Sequence, residues 1–159
     1  MRSRPLFILA LLAFCFLGAA KKPPLAVRFH CLANKQDGDP FTSKVMLGTP
    51  PRAVTIQKIP AISEKDIVAA YPYQAADGTW ACAFKLDSHG TIGLDTLSIE
   101  NRGSVVIAVV NGRVVTAIQI DRRVTDGIIS IPTGLTPADI ELVKKHFRIL
   151  GSKSSKKSG

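Results

Sequence analysis

Residues 87–147 open on Asp87-Ser88-His89-Gly90, turn at Asn111-Gly112 and close through Leu135-Thr136-Pro137-Ala138-Asp139-Ile140. The closing motif carries the clearest signals. Thr136 is a helix N-cap, Pro137 suits the first helical position, and Asp139 stands near the positive end of the helix dipole. Leu135 and Ile140 are spaced as a hydrophobic staple. Ile140, Val143 and Phe147 make the buried stripe, and Lys144, Lys145 and Arg148 complement the carboxyl end. Residues 104–110 are almost wholly apolar, as a central strand covered on both faces requires. Asn111-Gly112 supplies a two-residue hairpin into a strand at 113–120, and 128–131 is another short strand. Asp87-Ser88-His89-Gly90 punctuates the chain before a helix at 92–101 that presents Leu94, Leu97 and Ile92 inward, with Gly103 just after its end.

Toward the N-terminus the pattern is one of strands. Residues 25–33, 44–47, 53–59, 67–74 and 80–86 are apolar or alternating runs, broken by the prolines of Gly48-Thr49-Pro50-Pro51 and the hairpin signal Asp77-Gly78. Pro72 places the 67–74 strand at an edge or a bulge, and Ser63 with Asp66 has the spacing of a capping pair. The chain therefore reads as α+β: a mostly antiparallel sheet with two helices packed on it.

Arg2 and Arg4, an apolar run at 6–17 and Gly18-Ala19-Ala20 form a secretory signal peptide over 1–20. At about twelve residues the run is short for a hydrocarbon core of roughly 30 Å, so cleavage is expected rather than retention as an anchor. Cys15 lies inside the run behind the bulky Phe14, which argues against lipidation. After a spacer at 21–24, residues 25–150 make one domain, and 151–159 form a basic, solvated tail with Lys153, Lys156 and Lys157. The expected location is periplasmic or secreted, with no transmembrane segment after signal cleavage. Removing Arg2 and Arg4 takes the formal charge from +9 to +7, which favours anionic partners by screened attraction or simply confers solubility.

Cys31 and Cys82 survive processing in an oxidising compartment. Alternation puts Cys31 beside Val27 and Phe29, and Cys82 beside Trp80, Phe84 and Leu86, so both face the core. If their strands are neighbours a disulfide can form, worth about 4 kcal/mol in the chain-entropy model. The alternative is two buried free thiols acting as small hydrophobes.

Further motifs carry a likeness to a known family. Leu86, Asp87 and Gly90 fit a Leu-Asp-x-x-Gly turn; Leu94 and Ser98 fit an apolar residue and a hydroxyl four apart on the following helix; Gly103 fits a glycine after it. Asn111-Gly112-Arg113-Val114-Val115-Thr116-Ala117-Ile118-Gln119-Ile120 fills the place of a turn and strand, and 131–140 with Gly134 and Thr136 that of a helix start. Residues 86–147 in this way resemble the periplasmic head subdomain of SecD, a subunit of the Sec protein-export translocon. Ile118 stands where that family has proline, Asn111 where it has an acidic turn residue, and Asp139-Ile140 where it has Glu-Ala. The resemblance implies a SecD-head-like fold and a role in contact with exported protein, without the membrane-spanning part.

No catalytic constellation stands out. His30, His89 and His146 lie at no metal-ligand spacing with one another, and His30 and Cys31 point to opposite sides of one strand. The sequence contains neither a Gly-x-Ser-x-Gly elbow nor a phosphate loop, and Gly90-Thr91-Ile92-Gly93 lacks the basic flank that clamps nucleic acid. No cofactor and no nucleic-acid partner are expected. The function expected is an exported, non-enzymatic module binding protein or peptide, with Tyr71, Tyr73, Arg122 and Arg123 as candidate surface residues. The alternative is a basic envelope module binding anionic polymer or lipid headgroups.

Overall fold

The computed structural model of the chain describes residues 25–34 and 36–151. The signal peptide, the spacer and the tail beyond Gly151 lie outside the described residues. Strand β1 (Val27–Cys31) is followed by β2 (Thr42–Leu47), β3 (Arg52–Gln57), β4 (Ile67–Gln74) and β5 (Trp80–Leu86). Then come helix α1 (Ser88–Glu100), β6 (Val105–Val110), β7 (Arg113–Gln119), β8 (Ile128–Leu135), helix α2 (Pro137–His146) and β9 (Arg148–Ile149). Among the described residues the fold is α+β with two α-helices and mostly antiparallel pairing, but the strands divide among three sheets, ordered β1-β6-β7, β2-β3 and β8-β5-β4-β9. Among the described residues only β9 pairs in parallel, through Ala69 and Ala70 of β4.

The apolar 105–110 run is the central strand of its sheet, flanked by β1 and by β7 across the Asn111-Gly112 hairpin. Asn111 has φ 48° and Gly112 φ 80°, the left-handed pair such a turn demands. Beyond Ala70, β4 has no partner strand on its outer side among the described residues, so Pro72 sits on an open edge that needs no donor. A bulge interrupts the same strand between Ile67 and Ala69.

Helix α1 begins four residues before the position expected from the sequence. Asp87 is its N-cap, accepting from the Gly90 amide at 2.7 Å, so the motif that reads as a turn is the first helical turn. Gly90 and Gly93 had disguised the helical pattern. Leu94 and Leu97 are buried as expected, whereas Ile92 faces out, 69% exposed. Helix α2 has the full capping box: Thr136 Oγ1 accepts from the Asp139 amide and Asp139 Oδ2 accepts from the Thr136 amide. Strand β8 runs on past residue 131 to Leu135, carrying Pro132 along a sheet edge.

Phe84 links the layers. Its ring meets Phe29 of β1 at 6.3 Å and Phe147, after α2, at 6.2 Å, both edge-to-face. Val27, Phe29, Cys82, Phe84, Val106, Ile131, Ile140 and Val143 make one core beneath both larger sheets. His30 faces away from the core of β1 but is buried too, with Nδ1 2.8 Å from the Gln57 carbonyl of β3.

Candidate functional site

Strand β7 ends one sheet and β8 ends another, so each has an edge without a partner strand among the described residues. The two approach closely at one point. A Cβ on Gly134, whose φ is +88°, would lie 3.2 Å from the Val115 carbonyl oxygen and 3.1 Å from Val115 Cγ1. Farther along they enclose a cleft of about 270 Å³. Ile118, Gln119 and Ile120 form one wall, Ile128, Ser130 and Pro132 the other, and Leu94, Val106 and Ile129 supply apolar lining. Asp121, Arg122 and Val124 complete the lining.

The loop that joins the two strands is pinned to α1. Asp95 holds Arg123 through two hydrogen bonds, Nε to Oδ1 at 2.6 Å and Nη2 to Oδ2 at 2.7 Å. Hydrogen bonding to the Arg123 guanidinium holds the Asp95 carboxyl below its usual range. Ser98, fully buried, accepts from the Val124 amide at 2.9 Å and donates to the Asp95 carbonyl at 2.8 Å. Gly127 packs on Thr91, and its carbonyl accepts from the Leu86 amide at 2.9 Å. These bonds fix the cleft before any partner arrives, which lowers the ordering cost of binding.

Of the four surface residues expected from the sequence, the structure brings only Arg122 to this cleft. Arg123 is turned to Asp95. Tyr71 and Tyr73 stand on β4, separated from β8 by β5, with rings 6.1 Å apart and 49% and 36% exposed. Residues that were not expected as a site, Ile118, Ile120, Val124 and Ile128, make the apolar walls.

The strands of Cys31 and Cys82 belong to different sheets, and both residues are buried free thiols. Burial pushes the Cys82 thiol up to about 12. Burial, then the charge of Glu100, raises that of Cys31, which lines a polar hollow with Asn34, Gln57 and Thr96.

His89 is less isolated than its position in the sequence suggests. Its Nδ1 lies 3.0 Å from Asp66 Oδ1, and one ligand atom each from Asp66, Asp87 and His89 falls within 4.8 Å of the others. The acids also serve as caps: Asp66 Oδ2 accepts from the Ser63 amide and hydroxyl, and Asp87 Oδ1 accepts from Gly90. Burial raises the Asp66 carboxyl, but the Ser63 and His89 hydrogen bonds outweigh it and hold the group below its usual range.

Among the described residues no helix is long and apolar enough to cross a membrane. All acidic residues lie within them, whereas Arg2, Arg4, Lys21, Lys22, Lys35, Lys153, Lys156 and Lys157 lie outside. The positive surplus thus belongs mostly to those outer positions.

No protein-family model and no curated protein matches the chain. Two solved structures of SecDF are among those similar to the chain. The first, described as a membrane component SecDF that enhances protein export, has a TM-score of 0.54 and 16% identity over 80% of this chain and 64% of that one. The second, SecDF in a super-membrane-facing form, has a TM-score of 0.54 and 17% identity over 77% of this chain and 19% of that one. This chain therefore spans less than two thirds of the first structure and about a fifth of the second. At that identity the likeness is one of fold, and the fold is that of a SecD-like, head-like domain.

Proposed function

We propose that this protein is an exported, non-enzymatic module that binds extended polypeptide in the cleft between β7 and β8. The observation that carries the reading is the pair of unpartnered strand edges facing one another across an apolar hollow. An extended segment there can exchange main-chain hydrogen bonds with an open edge while burying an apolar side chain against Ile118, Ile120 and Ile129. The cleft volume of about 270 Å³ suits one bulky aliphatic or aromatic side chain. The similarity to a SecDF component that enhances protein export supports polypeptide emerging outside the cytoplasm as the ligand. Anionic envelope polymer, the other partner that the basic composition suggests, would engage the outer lysines rather than this cleft.

The test is a backbone NMR titration of the protein with an acetylated, amidated heptapeptide of alternating Leu and Thr, beside an N-methylated analogue that cannot pair with a strand. Saturable shifts at Ile118, Ile120, Ile128 and Ser130 with the first peptide and not the second are expected. Shifts confined elsewhere, or none, refute the cleft as the site. Binding that instead disappears with salt and with deletion of 152–159 would point to the anionic-polymer reading.

A further inference from the structure

The apolar cleft opens into a polar one of about 400 Å³, and the two share Arg122, Val124, Ile128 and Ser130. Charges around the polar half are mostly committed. Arg123 is held by both carboxylate oxygens of Asp95. Asp126 Oδ1 accepts from the Ile128 amide, and the Asp126 carbonyl accepts from Lys85 Nζ. Arg122 is exposed and pairs with no carboxylate among the described residues. Arg122 lines both halves, so an uncommitted guanidinium stands where the two meet.

Resting on the peptide-binding reading, we propose that the segment seated in this cleft carries an acidic side chain two residues beyond the buried apolar one, and that Arg122 selects it. Residues two apart on a strand share a face, about 6–7 Å from one another. With the apolar side chain between β7 and β8, that spacing directs the next side chain on the same face along the cleft toward Arg122.

The test uses three acetylated, amidated heptapeptides, identical except for Glu, Gln or Lys two residues after a central leucine. Affinities are measured at low ionic strength with the wild-type protein and with Arg122→Gln, a substitution at an exposed position that leaves the core intact. The Glu peptide is expected to bind wild type about threefold more tightly than the Gln peptide, as an exposed charge pair allows, with the Lys peptide weakest. In Arg122→Gln the ratio of Glu-peptide to Gln-peptide affinity is expected to fall to about one. Equal binding of the Glu and Gln peptides to wild type, or a Glu preference that survives in the variant, overturns the proposal while leaving peptide binding standing. If none of the peptides binds, the peptide-binding reading itself falls, and the selectivity falls with it.

Discussion

Gly90→Ala and Gly93→Ala replace two glycines of the same helix, and the structure gives them opposite signs. Helix propensity alone favours alanine at either place, by up to about 1 kcal/mol. At Gly93 a new Cβ meets nothing nearer than the Ala61 carbonyl at 3.9 Å, an ordinary contact, so the gain should be realised. At Gly90 it lies 2.8 Å from Asp66 Cβ, 3.1 Å from Leu86 Cβ and 3.3 Å from the Asp66 carbonyl. Carbon atoms prefer about 3.5–4.0 Å, and β-carbons cannot rotate away as side-chain ends can. Relief requires α1 to shift by the better part of an ångström from the 63–66 turn and the end of β5. That movement strains the Asp87 amide bond to the Asp66 carbonyl at 2.8 Å. Overpacking of this kind costs about 1–3 kcal/mol, which exceeds the propensity gain. Gly90→Ala should therefore lower stability by about 1–2 kcal/mol, or roughly 4–8 °C in Tm. Gly93→Ala should raise it by about 0.5–1 kcal/mol. Urea unfolding followed by far-ultraviolet circular dichroism measures both. If Gly90→Ala is as stable as wild type, or matches Gly93→Ala, close packing is not what requires glycine in the Asp-x-x-Gly motif.

Ser98→Ala should cost about 1–3 kcal/mol, because the Val124 amide loses its acceptor where little water can replace it; the same variant should broaden the NMR signals of 121–126, and an unchanged urea midpoint would count against the pinning of that loop. Cys82, with its thiol pushed up to about 12 by burial, should react with iodoacetamide at pH 8 far more slowly in the native protein than in urea, and unfolding without reductant should leave both Cys31 and Cys82 open to alkylation, as peptide mapping would show. Because this folded pKa lies above the unfolded value, the neutral thiol's contribution is present below about pH 9 and is lost as pH rises toward 12, so stability should decline on the alkaline side and Cys82→Ala should flatten that decline. Failure of either Cys31 or Cys82 to alkylate after unfolding would refute the two free thiols.

Where local chemistry decides an element, the sequence is a sufficient guide. Thr136, Pro137 and Asp139 state the start of α2 through capping alone, and Asn111-Gly112 states the β6–β7 hairpin through backbone conformation alone. The misplaced start of α1 has a different cause. Asp87 is an N-cap by the same rules, but two glycines within the next six residues weaken helical propensity, and the reason for Gly90 is a tertiary contact with Asp66. Division of the strands into separate sheets was likewise illegible, since alternation reports which face is buried and not which strand lies alongside.

The site lies further still from what a linear reading can reach. Ile118 and Ile120 look like core residues of a strand, and Ile128 and Ile129 look the same, because their apolarity is equally suited to a closed interior or an open cleft. What makes them a cleft is that β7 and β8 touch at Gly134 and then part, and that separation depends on where α1 anchors the loop between them. The anchors are Asp95, Ser98 and Thr91, none of which lines the apolar hollow. Ser98 shows the consequence most directly. In the sequence it is a hydroxyl of a resemblance motif with no chemistry attached, and in the fold it holds the Val124 amide that positions one wall. The motif residues that 86–147 shares with a SecD head are thus scaffold, as turns and caps should be, but scaffold that sets the width of the opening. Arg122 is the exception: it is tied to none of these anchors, and its charge stays available for a partner.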